Sequence, residues 1–307
     1  MNITIIGTGG VGGYFGGKLA QAGNNVTFIA RGEHLKQIRE KGLQIKSIKG
    51  DFLIKPAMAT DNISEIDTPE LVILGVKAWQ VKDIAVQLKP LIKENTIVLP
   101  LQNGVLAADE LLAVLQPNQV LAGLCRIFSK IEAPGIINHF GVEPEIVFGE
   151  MNNGINPNVE KLQKTLESAH IKSKIAGDIR TELWKKLMII GSGGLLALTR
   201  TTYGEIRENS ETRELMRVLL KEIYEVALAD GAKIEIDFTE KTMAYIDTYP
   251  YDATTSLARD ICAGKPSEID YQNGTVARLG EQFKVGVPLN SFVYSCLLPL
   301  ERKARKV

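Results

Sequence analysis

Six residues near the amino terminus, Gly7-Thr8-Gly9-Gly10-Val11-Gly12, have the spacing G-x-G-x-x-G. Backbone without side chains at these positions can turn sharply and bring its N–H groups against a phosphate, provided a strand precedes the run and a helix follows it. Both neighbours are present in the pattern. Residues 2–6 (NITII) are a short β-branched run, and helical periodicity extends through Leu19 and Ala20 to Gly23. In this setting the first glycine permits the turn, the second lets backbone approach a pyrophosphate, and the third lets helix and strand pack closely. The positive end of a helix beginning near Val11 further stabilises phosphate charge. Residues 7–12 therefore read as the site of a dinucleotide.

The next apolar run, residues 25–30 (NVTFIA), ends at Arg31. A carboxylate at this place would bond a ribose 2′-hydroxyl, whereas a guanidinium pairs with a 2′-phosphate, so NADPH is expected over NADH. Glu33 reads as a first-turn helix carboxylate stabilised by the dipole. Lys77 and Asn103 follow the runs LVILGV (71–76) and TIVLPL (96–101). Doubly wound folds bind ligands just beyond the carboxyl ends of parallel strands, so both residues are expected to face the cleft. By residue type alone, Lys77 is also an ordinary helix-start cation and Asn103 an ordinary turn former. His34, His139 and His170 are scattered without metal-ligand spacing, and Cys125, Cys262 and Cys296 form no C-x-x-C pair. Neither a metal site nor a disulfide framework is expected.

These residues need elements to hold them. Strand, turn, helix and strand alternate from residue 2 to residue 101, which predicts an α/β Rossmann-type sheet, parallel and doubly wound. Residues 118–149 contain short apolar segments separated by Pro134, Gly135 and Gly141, and are expected to add antiparallel strands that complete that sheet. A helix from about residue 158 and a strand at 171–176 come next. The texture then changes, which places a boundary near residue 178, between a nucleotide-binding domain (1–177) and a second domain (178–307). Segments 181–198, 209–231 and 269–283 carry apolar residues at helical spacing, so the second domain is expected to be mainly α-helical.

Composition excludes several classes of partner. A length of 307 residues suits two domains, and 45% hydrophobic with 23% charged residues leaves no room for long disordered tracts. Lys plus Arg and Asp plus Glu both number 36, so no global field attracts nucleic acid. The basic run Arg302, Lys303, Arg305, Lys306 reads as a solvated tail. No apolar run approaches the ~18 residues of a membrane span, and the N-terminus lacks a secretory pattern. With unpaired cysteines as well, a cytoplasmic location is expected.

Taken together, several runs resemble the ketopantoate reductases (2-dehydropantoate 2-reductases). They are Gly7–Gly12, Arg31, Lys77-Ala78-Trp79-Gln80, Gln102-Asn103-Gly104, Glu182-Leu183-Trp184-Lys185-Lys186-Leu187 and Glu268-Ile269-Asp270-Tyr271-Gln272-Asn273-Gly274. The resemblance spans both halves of the chain. It implies NADPH-dependent reduction of a 2-keto acid, 2-dehydropantoate to pantoate in pantothenate biosynthesis, by a monomer or homodimer. It places the family's essential lysine at Lys186, not Lys185, and the acidic active-site partner, which also contacts cofactor, at Glu268. Ser256 matches a hydroxyl that contacts substrate. Lys77 and Asn103 are implied to meet the nicotinamide cofactor, and Asn103 the substrate as well. A lysine in that place has a physical purpose, because hydride delivered to a ketone carbon leaves charge on oxygen that an ammonium stabilises and then protonates.

One departure stands out. The family usually has asparagines four and eight residues after its lysine, and this chain has Ile190 and Gly194. Positions i, i+4 and i+8 share one helix face, so polar contacts beside Lys186 are exchanged for an apolar wall. This leaves two alternatives open: a paralogue acting on a more apolar keto acid or another carbonyl compound, and an NADPH-binding regulator without catalysis. Glycine at 191, 193 and 194 weakens a helix interior by about 1 kcal/mol each relative to alanine, which suggests a bend or a close backbone approach there. Ser192 points away from the lysine face unless the helix breaks.

Overall fold

The β-branched run at the amino terminus forms β1 (Asn2–Ile6), and the glycine-rich turn leads into α1 (Gly10–Gln21). In this computed structural model, which describes residues 1–154 and 157–306, the chain divides into two compact units. Unit 1 comprises Met1–Gln102 with Leu106–Ile179, and unit 2 comprises Asn103–Val105 with Arg180–Val307. Residues 103–105, left in the first domain by the sequence reading, thus cluster with the second unit.

After α1 the first unit continues with β2 (Asn25–Ile29), α2 (Gly32–Lys41), β3 (Leu43–Ser47), β4 (Phe52–Ile54) and β5 (Met58–Thr60). Then come β6 (Leu71–Leu74), α3 (Val81–Leu88), β7 (Ile97–Pro100) and α4 (Ala107–Leu112). It ends with β8 (Ala122–Ala133), β9 (Ile136–Gly149), α5 (Pro157–Ser168) and β10 (Lys172–Ile175). Five strands pair in parallel in the order β5-β2-β1-β6-β7. The order reverses direction at β1, so the switch point of this doubly wound sheet lies between the ends of β1 and β6. Every residue of β6 and β7 is buried, as expected for strands covered on both faces.

The strands of 118–149 do not complete that sheet. At 12 and 14 residues, β8 and β9 are long enough to pair with each other as an antiparallel hairpin, and β9 recruits β3 and β10 in parallel, with β4 beyond β3. The outcome is a second five-stranded sheet, and among the described residues the one β-bridge from this stretch to the first sheet is the isolated pair Val98 and Val120.

Helix α1 lies between the two sheets because it lacks side chains on both flanks. A Cβ built on Gly12 would lie 2.2 Å from the Gly7 carbonyl oxygen and 2.9 Å from Ile5, and one on Gly16 would lie 2.6 Å from Ile5 and 2.8 Å from Phe28. On the other flank a Cβ on Gly13 would lie 2.7 Å from Ile137 of β9, and one on Gly17 3.1 Å from Ile45 of β3. Two glycine pairs at i, i+4 spacing therefore mark two helix faces, one for each sheet.

The second unit is helical, with no strand among its described residues: α6 (Ile179–Ile190), α7 (Gly193–Thr199), α8 (Tyr203–Glu208), α9 (Ser210–Ala229), α10 (Phe238–Asp247), α11 (Ser256–Cys262), α12 (Asn273–Phe283) and α13 (Pro288–Arg305). The helix expected over 181–198 is broken into α6 and α7 at Gly191-Ser192. Neighbours crowd the break: an added Cβ would lie 2.4 Å from Ile223 at Gly191, 2.7 Å from the Thr255 hydroxyl at Gly193 and 2.4 Å from Asn273 Oδ1 at Gly194. Ser192 is fully buried and hydrogen-bonds the Tyr203 hydroxyl at 3.0 Å, so it serves packing. The buried Glu222 carboxylate of α9 caps α13 by accepting the N–H groups of Leu289 (2.9 Å) and Asn290 (2.8 Å), two of the donors a helix start leaves unpaired. Asn290 Oδ1 in turn accepts from Asn273 Nδ2 at 3.0 Å, and Asn273 Nδ2 also reaches the Gly191 carbonyl at 3.3 Å.

Candidate active site

In the first unit the glycine loop hangs from the end of β2. The Ile29 carbonyl accepts the N–H groups of Gly7 (3.2 Å) and Thr8 (3.0 Å) and the Thr8 hydroxyl (2.9 Å). Thr8 is buried, so its side chain is structural. Gly7 has φ +94°, and a Cβ there would lie 2.7 Å from Val76 N at the end of β6. Gly75, which the sequence reading passed over, is equally tight: its Cβ would lie 2.8 Å from the Gly7 carbonyl. Gly10 lies against β8, where a Cβ would lie 2.6 Å from the Ser129 carbonyl. Gly9 differs, since a Cβ there would meet no atom within 4 Å. Three glycines of the motif thus serve the protein's own packing, and the second opens onto free space. No side chain caps α1 and its first turn holds no acidic residue, so its positive end suits an anion. Open space at the second glycine and an uncapped helix start fit a pyrophosphate.

Arg31 is the exposed N-cap residue of α2 and makes no ion pair among the described residues. Glu33 is occupied, accepting from Gln37 Nε2 at 2.7 Å one turn along α2. His34 hydrogen-bonds the Thr8 carbonyl, and burial holds its pKa below the ordinary histidine value. Lys77 is half-buried, and its N–H donates to Gln80 Oε1 at 3.3 Å at the start of a short turn leading to α3. Gln102 was not singled out as a site residue. It is buried, and its Nε2 donates to the carbonyls of Leu74 (2.9 Å) and Val76 (3.0 Å), joining the ends of β6 and β7.

In the second unit two adjacent lysines have opposite surroundings. Lys185 pairs with Glu235 at 2.8 Å and stands 5.2 Å from the centre of the Phe238 ring. Lys186 is 8% exposed, and Glu268 is 7% exposed. Removing an ammonium and a carboxylate from water is costly, so such residues belong to a built environment rather than a solvated helix face. Val11 is half-buried against the core of the first unit. Ser256 is the exposed first residue of α11, and the capping is done by its neighbour Thr255, which accepts the Ala258 N–H at 3.0 Å. The Ser256 hydroxyl is therefore not consumed by the helix start.

Asn103 reaches this unit through its neighbours. Gly104 has φ +108°, and a Cβ there would lie 2.7 Å from the Tyr271 carbonyl, three residues beyond Glu268. Arg180 Nη1 donates to the Val105 carbonyl at 3.3 Å, from the first turn of the helix that carries Lys186. Residues 103–105 are thus held between the start of α6 and the turn that follows Glu268. Nothing in the order of residues signalled this grouping.

The face expected to run from Lys186 through Ile190 to Gly194 stops at Ile190, the half-buried last residue of α6. At Gly194 the space is filled by the amide of Asn273 together with a methyl of Val293, and Asn273 Oδ1 is buried with no hydrogen-bond partner among the described residues. Among those residues no group of three His, Cys, Asp or Glu could hold a metal ion, and no helix is long and apolar enough to cross a membrane.

Comparison with known proteins gives a consistent result. The family model described as ketopantoate reductase PanE/ApbA matches residues 3–153, and that of its C-terminal part matches residues 178–301. The chain is 29% identical over 298 residues to the uncharacterised oxidoreductase YkpB of Bacillus subtilis (strain 168), covering 97% of this chain and 98% of that protein. It is 27% identical over 307 residues to a 2-dehydropantoate 2-reductase of Nostoc sp. (strain PCC 7120), covering 98% and 95%. Among solved structures, a PanE/ApbA family ketopantoate reductase from Ralstonia eutropha JMP134 matches with a TM-score of 0.91 at 30% identity, covering 99% of this chain and 100% of that one.

Proposed function

The chain belongs to the PanE/ApbA ketopantoate reductase family of oxidoreductases, and from that premise we propose that it reduces a 2-keto acid with NADPH, 2-dehydropantoate to pantoate being the leading reaction. The observation that carries this reading is the burial of Lys186 and Glu268, next to a partly exposed Lys185 that is paired with Glu235.

NADPH, when bound, supplies the hydride. The backbone at Gly9 and the start of α1 would hold its pyrophosphate, Arg31 would pair with the 2′-phosphate, and Lys77 and Asn103 would contact its nicotinamide end. Lys186 keeps a proton on Nζ, stabilises the negative charge that builds on the keto oxygen and then transfers that proton to it. Glu268 orients the Lys186 ammonium and contacts the cofactor. Asn103 and Ser256 bind the substrate, the first through an amide that both donates and accepts. An Arg31 without a carboxylate partner among the described residues supports NADPH over NADH, because an acid paired with it would repel the 2′-phosphate.

The test is the initial rate of NADPH oxidation by purified protein with 2-dehydropantoate, repeated with Lys186→Ala. Full turnover by that variant would sink the proposal. Ile190 favours a second reading within the same chemistry, a more apolar keto acid, since it stands one turn from Lys186 and is half-buried. Faster turnover of bulkier, less polar keto acids would support that reading, while NADPH binding without turnover of any keto acid would leave a regulatory role.

A further inference from the structure

The phosphate-binding loop and the Arg31 corner belong to different strand–helix connections, yet one imidazole joins them. His34 is in the first turn of α2, three residues after Arg31, and its Nε2 lies 2.8 Å from the Thr8 carbonyl oxygen. Its Nδ1 accepts the backbone N–H of Gly135, in the turn between β8 and β9, at 2.9 Å. Gly135 N–H can only donate, so Nδ1 carries no proton. The neutral ring therefore has its hydrogen on Nε2, which donates to Thr8. The ring is half-buried, and its lowered pKa keeps this neutral form dominant at physiological pH.

Each contact lies where a displacement would be felt by a ligand. The Thr8–Gly9 peptide is trans, so a carbonyl aimed at His34 sends the Gly9 N–H the opposite way. Gly9 is the loop glycine with open space before it. On the other side, the Arg31 carbonyl accepts the Leu35 N–H at 3.3 Å, so Arg31 and the first turn of α2 move as one piece. Gly135 holds the ring from a third direction, through the backbone of the second sheet.

We propose that His34 is a positioning residue that sets the spacing between the pyrophosphate-cradling loop and Arg31, and thereby the preference of the site for a 2′-phosphorylated dinucleotide. It touches no reacting atom and acts only through Thr8 and Arg31. The assignment rests on the cofactor reading given above.

The test is direct binding of NADPH and of NADH, followed by nucleotide fluorescence, to the full chain and to His34→Leu, His34→Gln and His34→Asn. Leucine can neither donate nor accept. Glutamine carries one donor and one acceptor at a spacing that can serve both Thr8 and Gly135, and asparagine retains the acceptor for Gly135 without reaching Thr8. His34→Leu and His34→Asn should weaken NADPH about ten-fold and NADH less than about three-fold, a difference worth one well-made phosphate contact, and His34→Gln should keep the parent preference. Unchanged affinities, equal weakening of both nucleotides, or a loss that glutamine does not restore would each overturn the assignment. The asparagine variant carries the test if the leucine variant does not fold. If the parent protein shows no preference for NADPH, the cofactor reading falls and this assignment with it. If the preference exists and survives in His34→Leu, only this assignment falls.

Discussion

Arg180 and Asp230 form a two-point ion pair, Nε to Oδ2 at 2.6 Å and Nη2 to Oδ1 at 3.0 Å, and Trp184 Nε1–H donates to the same Oδ2 at 2.7 Å. One carboxylate thus anchors α6 at two successive turns ahead of Lys186, while the remaining arm of Arg180 holds the Val105 carbonyl two residues after Asn103. Replacing Asp230 with alanine removes the carboxylate that both the largely buried Arg180 guanidinium and the Trp184 indole N–H bond. Asp230→Ala should lower unfolding free energy by about 3 kcal/mol, read from denaturant titration. Activity should fall even under conditions where the variant remains folded, because α6 and residues 103–105 lose their common anchor.

Lys185 and Lys186 should separate cleanly in a kinetic experiment. Lys186→Ala is expected to lower kcat by at least ~100-fold, the usual scale for loss of a positioned acid. Lys185→Ala removes a surface pair with Glu235 and should change stability by no more than about 1 kcal/mol and leave kcat near the parent value. Equal losses in the two variants would contradict the assignment of Lys186.

Restoring asparagine should have opposite outcomes at the two divergent positions. Ile190→Asn places an amide one turn from Lys186 and should raise kcat/KM for 2-dehydropantoate relative to an apolar keto acid of similar size, by about 1–3 kcal/mol of discrimination for a well-made hydrogen bond. Gly194→Asn has no room, since even its Cβ would lie 2.4 Å from Asn273 Oδ1, and it should destabilise the fold by about 1–3 kcal/mol. Paired thermal unfolding and kinetics on the two variants decide this.

Acid stability offers a separate check on the second unit. Arg213 donates to both oxygens of Asp247, at 2.7 and 2.6 Å, and these bonds hold the Asp247 carboxyl below its ordinary pKa. A carboxyl with a depressed folded-state pKa contributes stability that is fully present above its unfolded value of about 3.9 and is lost as pH falls through the lower folded value. The Tm difference between parent and Asp247→Asn should therefore be largest near neutrality and shrink as the pH falls below about 4. A difference that stays constant across that range would remove the pair from the account.

Much of the first unit could be read from the order of residues, because G-x-G-x-x-G between a β-branched run and a helical period admits few structures. The second sheet could not. Alternation in 122–149 announces strands but not their partners, and two strands of this length satisfy each other before they can extend another sheet. A usable signal was present in α1, where Gly12, Gly13, Gly16 and Gly17 mark two flanks at i, i+4 spacing. Glycines at 191, 193 and 194 did announce the break in the α6–α7 stretch. Asn103 was legible as a residue beyond a strand, but its membership of the helical unit depends on a Gly104–Tyr271 approach and an Arg180–Val105 hydrogen bond between residues far apart in sequence. The roles of Gln102, Asp230 and His34 lie in bonds to distant backbone or side-chain groups, which residue order does not encode.

The glycine flanks of α1 have a consequence for the thermodynamics of ligand capture. A helix gripped on two sides by backbone-close contacts has few alternative placements in the free protein, so the anion-facing end exists before any nucleotide arrives. Association then surrenders little conformational freedom, and more of the intrinsic attraction between phosphate and N–H dipoles survives as affinity. The same grip leaves little room for change: one methyl group on Gly12, Gly13 or Gly16 would crowd the Gly7 carbonyl or the side chains of Ile5, Phe28 or Ile137, and something there would have to shift.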